Sequence, residues 1–136
     1  MFELSQTFAF DAAHTLKRQV SPEEAAGSRR IHGHTYTAEV IVRGPRQPES
    51  GMVVDLAILR EVIAEVRSQL DHHFLDEVPG LGAATLENLC VFIFERIQPR
   101  IPQVAGVAVS RGGRGQRERE RERERGRGRG RGRQRG

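Results

Sequence analysis

Two histidines separated by one glycine are the residues of this sequence with the clearest potential for chemistry. His32 and His34 precede residues 35–43, where apolar and polar residues alternate as in a half-buried β-strand. If the extended backbone begins at His32, both imidazoles project from one face with their Cα atoms roughly 6.5–7 Å apart. Two rings at that separation can close around one metal ion. Zinc with three protein nitrogens and an open fourth position is a catalytic arrangement, so the pair raises the question of a third ligand.

The first residues of the chain predict another strand, and His14 stands just past its expected end. Apolar side chains share one parity along this strand, namely Phe2, Leu4, Phe8 and Phe10. If the strand pairs antiparallel with residues 35–43, as sequential strands usually do, its end lies beside His32 and His34. A lone histidine in such a place is ordinarily a surface or hydrogen-bonded residue. Whether His14 is a candidate metal ligand therefore depends on its lying beside His32 and His34.

The remaining histidines directly follow a predicted helix, in the run Asp71, His72 and His73. A cationic histidine near a helix C-terminus is favourable without any catalytic role. An adjacent aspartate and histidine can also form a proton-transfer dyad, in which the carboxylate orients the ring and raises its basicity. The residues themselves leave both interpretations open.

Two amphipathic helices are predicted to carry the remaining candidates. Residues 56–70 have the apolar period of a helix, and Asp55 stands at its N-cap position. A second helix is predicted over residues 86–98, with Thr85 as its N-cap. Glu87 lies in the first turn of that helix, where the simplest interpretation is a favourable interaction with the helix dipole.

The order of these elements predicts an α+β domain. Residues 104–110 form a further strand by pattern, and residues 15–30 and 44–51 have the composition of loops. Strands, two helices and a final strand indicate an antiparallel sheet with both helices packed on one face. We therefore expect one folded domain over residues 1–110.

Residues 111–136 differ from the rest in composition and charge. They carry 12 arginines and 4 glutamates, whereas residues 1–110 carry 10 basic and 14 acidic residues. The overall charge of +4 therefore reflects the tail, not a basic folded domain. Because the tail has no apolar residue to bury, we expect it to be disordered. Arg-Gly repeats bind nucleic acid weakly in some proteins, but this tail has no aromatic residues for base stacking, so we expect no nucleic-acid partner.

A single cysteine, Cys90, excludes an intrachain disulfide framework. It belongs to the apolar stripe of the second helix, which favours a buried, inert thiol. The chain also has no apolar run long enough to span a membrane or to resemble a secretory signal. We therefore expect a reducing, cytoplasmic setting and no membrane partner.

Five segments together resemble the 6-pyruvoyltetrahydropterin synthase and 6-carboxytetrahydropterin synthase family over residues 2–109. In the family's order and spacing they are FAFDAAH, RRIHGHTYTAEVIVRG, GMVVDLAILREV, LDHHFLDE and ATLENLCVFIFERI. The combination of HGH with an upstream AAH and a downstream LDH is far more specific than any one of them. The resemblance implies the tunnelling fold, in which protomers join their sheets into a barrel and form a homo-oligomer, usually a hexamer of two trimers.

The resemblance also implies roles for individual residues. Zinc (Zn2+) would be held by His14, His32 and His34. Asp71 and His72 would form the catalytic dyad, and Glu87 would help to hold the pterin ring of the substrate. Ser28 stands where the family has its catalytic cysteine, four residues before His32.

The implied activity is that of a zinc-dependent lyase on 7,8-dihydroneopterin triphosphate. We expect the 6-carboxytetrahydropterin synthase type, a step toward queuosine. The alternatives are a 6-pyruvoyltetrahydropterin synthase-type elimination of triphosphate and a catalytically impaired pterin-binding relative. The last is suggested by Ser28 and by Ser110 and Arg111, which stand where the family places a glutamate. An altered reading frame through the tail would explain that ending.

Overall fold

The computed structural model describes residues 1–15, 31–112 and 122–125, with only the backbone described at Ile31, His32 and 122–125. Four antiparallel strands form one sheet in the order β1-β2-β3-β4. Their bounds are β1 Phe2–Thr15, β2 Ile31–Gly44, β3 Val104–Gly112 and β4 Glu122–Arg125. Between β2 and β3 lie helix α1, Leu56–Leu70, a short 3-10 helix, Leu75–Glu77, and helix α2, Leu86–Ile97. The predicted antiparallel α+β fold is confirmed.

One face of the sheet and the inner sides of both helices share a single core. The buried strand residues have the parity expected from their alternation, among them Phe10, Tyr36, Ala38, Val40, Val107 and Val109. From the helices, the same core takes Leu59, Val62, Ile63, Val66, Leu89, Ile93 and Ile97, along with Cys90, which is buried as predicted. The two-residue period of the strands and the 3.6-residue period of the helices thus meet in one apolar layer.

Both helices begin at the predicted caps. The carboxylate of Asp55 accepts a hydrogen bond from the backbone N–H of Ala57 at 2.9 Å, and the Thr85 hydroxyl accepts from Asn88 at 3.0 Å. Helix α2 ends at Ile97, one residue before the predicted end. None of the helices in the described part of the chain combines the length and apolarity that a membrane span requires.

The prediction that β1 ends before His14 was wrong. The strand continues to Thr15, because pairing with β2 extends through Ala12 opposite His34, His14 opposite His32 and Thr15 opposite Ile31. The neighbouring strand supplies hydrogen-bond partners here, so the chain stays extended after its apolar alternation has ended.

The C-terminal boundary also differs from the prediction. Strand β3 continues to Gly112, two residues past the expected end of the domain, and Glu122–Arg125 pair with Gly106–Val109 as β4. These four residues of the tail thus take part in the sheet. The edge of β3 offers backbone donors and acceptors to any extended segment, and such pairing requires no apolar side chain. The remainder of the tail lies outside the described residues.

The segment after α1 lies along the outer edge of β1 and thereby positions several polar residues. The backbone N–H of His72 donates to the Asp11 carbonyl at 2.7 Å, and that of Ala13 donates to the His73 carbonyl at 3.2 Å. A parallel bridge joins Ala13 to Phe74. His72 has a φ of 60°, a left-handed conformation that is uncommon for residues other than glycine.

The shared core generates a stability prediction for helix α1. Leu59→Ala should lower the free energy of unfolding by about 2–5 kcal/mol, because Leu59 is 0% exposed and its truncation leaves a cavity in a closed core. Glu61→Ala is the control and should cost under about 1 kcal/mol, since Glu61 is exposed on the same helix. Urea unfolding of both variants measures the difference, and equal losses would contradict this description of the core.

Candidate functional site

The C-terminal end of β1 and the start of β2 bring histidines together. His14 lies opposite the position of His32 in the strand register, and Ala12 lies opposite His34. The rings of His14 and His34 stack with their centroids 5.1 Å apart and an interplanar angle of 26°. Antiparallel pairing thus places His14 beside the His-Gly-His segment. The side chain of His32 is not among those described, so the register alone locates that residue.

The environment of His14 determines which ring nitrogen can bind a ligand. Its side chain is fully buried, and its Nδ1 lies 3.0 Å from the backbone carbonyl oxygen of Thr15. A carbonyl oxygen only accepts, so Nδ1 is the donor and the neutral ring carries its lone pair on Nε2. Metal-ligating histidines are usually held in this way by a hydrogen bond from the other ring nitrogen. Nε2 of His14 is therefore the nitrogen through which this residue can bind a metal ion, and a neutral imidazole nitrogen is a donor that zinc accepts.

Thr15 itself is held by a residue that sequence reasoning missed. The carboxylate of Asp76 accepts hydrogen bonds from the Thr15 backbone N–H at 3.0 Å and from the Thr15 hydroxyl at 2.5 Å. Asp76 lies in the 3-10 helix, 61 residues along the chain from Thr15. Its only sequence signal was membership of the LDHHFLDE segment.

The structure also brings Asp71 and His72 together. One carboxylate oxygen of Asp71 accepts from the backbone N–H of Asp11 at 2.9 Å. The other lies 3.3 Å from the Arg67 guanidinium and 3.6 Å from Nδ1 of His72. The last distance is too long for a hydrogen bond, so the dyad is adjacent without being closed.

Several contacts hold the pKa of Asp71 below its ordinary value. The hydrogen bond from the Asp11 backbone N–H is the largest cause, and the positive charge of Arg67 acts in the same direction. His72 and His73 contribute in their cationic forms, while desolvation opposes the shift. Asp71 is therefore an anion at neutral pH, as a residue that orients an imidazole must be.

Asp11 adds a second carboxylate to this group. Ligand atoms of Asp11, Asp71 and His72 all lie within 4.8 Å of one another, a spacing that a cation could bridge. However, Asp11 already accepts from the Thr35 hydroxyl at 2.6 Å, and the guanidinium of Arg67 stands beside Asp71. A neighbouring positive charge disfavours a cation, so these contacts favour a hydrogen-bonded polar group over a metal site.

The two groups lie on opposite faces of the same end of β1. Strand alternation places His14 and His34 on the core face, and Asp11 with Thr35 on the exposed face. An open cavity of about 860 Å³ at this end is lined by His34 from the first group and by Asp11 and His72 from the second, whereas His14 and Asp71 are not among the described residues that line it. Its volume suits a small-molecule ligand.

Tyr36 and Arg111 adjoin the histidines. Tyr36 is buried, and its ring meets that of His34 edge-on with the centroids 5.8 Å apart. Burial raises the pKa of Tyr36, while the positive charge of Arg111, opposite it on β3, acts in the other direction. The end of β3 thus presents a cation where the resemblance led us to expect a glutamate.

Glu87, Ser28 and His73 are the remaining candidates from the sequence. Glu87 is exposed in the first turn of α2 and is not among the described residues that line the cavity. Ser28 lies outside the described residues. His73 lines the cavity, and its Nδ1 lies 2.9 Å from the Asp71 backbone carbonyl.

Comparison with known proteins decides the family. The sequence profile of the family described as 6-pyruvoyl tetrahydropterin synthase matches residues 3–118. The chain belongs to this family. The resemblance seen in the sequence motifs is thereby confirmed.

Individual members of the 6-pyruvoyl tetrahydropterin synthase family carry several names. A 6-carboxy-5,6,7,8-tetrahydropterin synthase from Synechocystis sp. is 32% identical over 103 residues, covering 72% of this chain and 76% of the relative. A dihydroneopterin monophosphate aldolase from Pyrococcus furiosus is 35% identical over 94 residues, covering 69% and 73%. The structure of Caenorhabditis elegans 6-pyruvoyl tetrahydropterin synthase matches with a TM-score of 0.74 and 26% identity, covering 92% of this chain and 95% of that one. The chain is thus similar to enzymes of pterin chemistry.

The lowered pKa of Asp71 generates a pH prediction. Because its pKa in the folded chain lies below the ordinary value of 3.8, ionised Asp71 stabilises the fold above that pH. This contribution is lost as the pH falls through the lowered pKa. Asp71→Asn keeps an acceptor for the Asp11 N–H but removes the charge. The variant should melt below the wild type at pH 6, and the gap should close on acidification below about pH 4. A gap that persists unchanged at pH 2.5 would contradict the assignment.

Proposed function

We propose that this chain is a zinc-dependent lyase of the 6-carboxytetrahydropterin synthase type, acting on 7,8-dihydroneopterin triphosphate in the pathway toward queuosine. The observation that carries the proposal is the stacking of the buried His14 on the half-buried His34, with Nδ1 of His14 committed to the Thr15 carbonyl. That commitment directs the lone pair of Nε2 to a ligand. The Synechocystis relative, named for the carboxy-forming reaction, supports this choice of product.

His14, His32 and His34 would hold the zinc ion. When bound, zinc supplies a Lewis acid that makes proton removal from the hydroxylated side chain of the substrate feasible near neutral pH. Three histidines leave a coordination position for that side chain. His14 is fully buried and stacks on the half-buried His34, so its side of the proposed site has little water and electrostatic interactions are stronger there.

His72 would accept and return the proton. Its side chain is 77% exposed at the cavity, so a bound substrate can reach the ring. Asp71 is anionic and held by the backbone of Asp11, and from that fixed position it can orient His72 and stabilise its protonated form. The gap of 3.6 Å between them would shorten on substrate binding, as catalytic hydrogen bonds often do.

Two further residues complete the proposed site. Ser28 would lie beside the substrate, four residues before His32, in the role that a cysteine has in the family. A serine hydroxyl is a poorer base than a thiolate, so the dyad would carry most of the proton transfer. Glu87 would help to hold the pterin ring, and its exposed position requires movement or a neighbouring subunit to bring it there.

A homo-oligomer, a trimer or hexamer with sheets joined into a barrel, is part of the proposal. Large apolar side chains are exposed at the start of β1 and near the start of α1, namely Met1, Phe2, Leu4, Met52, Leu56 and Ile58. A patch of this kind marks an interaction surface more often than a solvated one. We place the enzyme in the cytoplasm, with no nucleic-acid or membrane partner.

A specific observation favours a second candidate, a pterin-binding relative with impaired catalysis. Arg111 lies opposite Tyr36 at the site, and a guanidinium cannot accept hydrogen bonds from the donor edge of a pterin. Weakened binding of the ring would lower turnover even if the zinc site is complete. The 6-pyruvoyltetrahydropterin synthase-type reaction, which eliminates triphosphate and rearranges the side chain, is the remaining alternative.

Product analysis with 7,8-dihydroneopterin triphosphate tests the proposed activity. We expect acetaldehyde, triphosphate and 6-carboxytetrahydropterin, with turnover reduced at least about 100-fold in His72→Ala because a positioned acid–base group is lost. Triphosphate release without acetaldehyde would instead establish the pyruvoyl-type reaction. Binding without either product would establish the impaired relative.

Metal analysis tests the zinc site separately. We expect about one zinc per chain, and its loss in the His32→Ala, His34→Ala double variant, since one histidine cannot hold the ion alone. His73→Ala and Asp11→Asn are the matched controls and should retain zinc. Stoichiometric zinc in the double variant, or its loss in Asp11→Asn, would contradict the assignment.

A further inference from the structure

We infer that Asp76 is a positioning residue for the metal ligand His14, acting through Thr15; this inference rests on the proposed zinc site. Three hydrogen bonds connect the residues. Nδ1 of His14 donates to the Thr15 carbonyl at 3.0 Å, and both the backbone N–H and the hydroxyl of Thr15 donate to the Asp76 carboxylate at 3.0 and 2.5 Å. The Asp76 carboxylate therefore holds Thr15 in place, and the Thr15 carbonyl in turn holds the imidazole of His14.

Strand geometry explains why Thr15 needs this support. In an extended strand the N–H and C=O of one residue point to the same side. The N–H groups of Asp11, Ala13 and Thr15 all bond to the segment after α1, so at these residues the polar groups of β1 point away from β2. The Thr15 carbonyl thus lies outside the β1–β2 ladder, and the imidazole of His14 is its partner.

The position of Thr15 makes the restraint consequential. It is the last residue of β1, where strand pairing ends and the backbone would otherwise fray. Asp76 binds both donors of this residue with its two carboxylate oxygens, which restrains the backbone and the side-chain rotamer together. The acceptor of the His14 ring is held in place as a result, and so is the direction of the Nε2 lone pair.

The described contacts of Asp76 are with Thr15. Its two carboxylate oxygens accept from the backbone N–H and from the hydroxyl of that residue. Its effect on the metal should therefore appear as a change in affinity and coordination geometry. Outer residues that orient a metal ligand typically change affinity by about 10–100-fold when removed.

The test measures zinc affinity by chelator competition and the visible absorption of the Co2+-substituted protein, at a temperature well below the melting point. Asp76→Ala should weaken zinc binding by about 10-fold or more and alter the Co2+ spectrum. Asp76→Asn should restore most of both properties, because its amide can accept from the Thr15 N–H and donate to the Thr15 hydroxyl. Glu77→Ala, the loss of the neighbouring acid on the same 3-10 helix, is the matched control and should behave as the wild type.

Each outcome distinguishes the inference from the proposed function. A wild-type chain that binds no zinc refutes the zinc-dependent function. A wild-type chain that binds zinc, with Asp76→Ala unchanged in affinity and spectrum, refutes the positioning role alone. Equal losses in Asp76→Asn and Asp76→Ala also overturn it, because charge rather than geometry would then be responsible.

Thr15→Val provides an independent variant if Asp76→Ala fails to fold. Valine keeps the backbone N–H and the branched shape but removes the hydroxyl that Asp76 binds. A weaker change of the Co2+ spectrum in the same direction supports the inference. An unchanged spectrum and unchanged affinity overturn it.

Discussion

The pairing of residues 71–76 with the outer edge of β1 is the constraint on which the candidate site depends. The N–H groups of Asp11, Ala13 and Thr15 find acceptors there, and the Asp11 carbonyl accepts from His72. An open strand edge is thereby closed, and unpaired backbone groups near the core are satisfied. The same contacts place Asp71, His72 and Asp76 along one short stretch of β1. One set of hydrogen bonds therefore both covers the strand edge and assembles the candidate site.

The strand register is the second requirement for the site. His14 lies opposite His32, and Ala12 lies opposite His34, so the histidine positions share the face that includes Phe10 and Tyr36. A slip by one residue would move every side chain of one strand to the other face. The apolar core that fixes the register thus also fixes the face on which these histidine positions lie, as the proposed zinc site requires.

Periodicity was sufficient to predict the core, the helix caps at Asp55 and Thr85 and the antiparallel pairing of the first two strands. The end of β1 at Thr15 could not be predicted, because pairing with β2 keeps the chain extended after its apolar alternation has ended. The role of Asp76 could not be predicted either, because it arises from hydrogen bonds between residues 61 positions apart that leave no periodic signal. For the dyad, the sequence predicted the pair but not its anchor on the Asp11 backbone. Family motifs singled out the histidines, whereas only the folded structure could show that His34 and Asp11, from opposite faces of the sheet, line one cavity.

The backbone of His72 is left-handed, with φ of 60°, and this conformation lowers the stability of the fold at the residue that we propose as the proton acceptor. A glycine would adopt this conformation without the steric cost of a side chain, which is on the order of 1 kcal/mol. Glycine, however, has no group that can accept a proton. Selection for thermal stability alone would therefore favour losing the imidazole, and a lineage that retains histidine here carries a standing energetic cost. If selection for turnover relaxed, replacement of His72 by glycine would give a more stable chain that lacks the proposed proton acceptor.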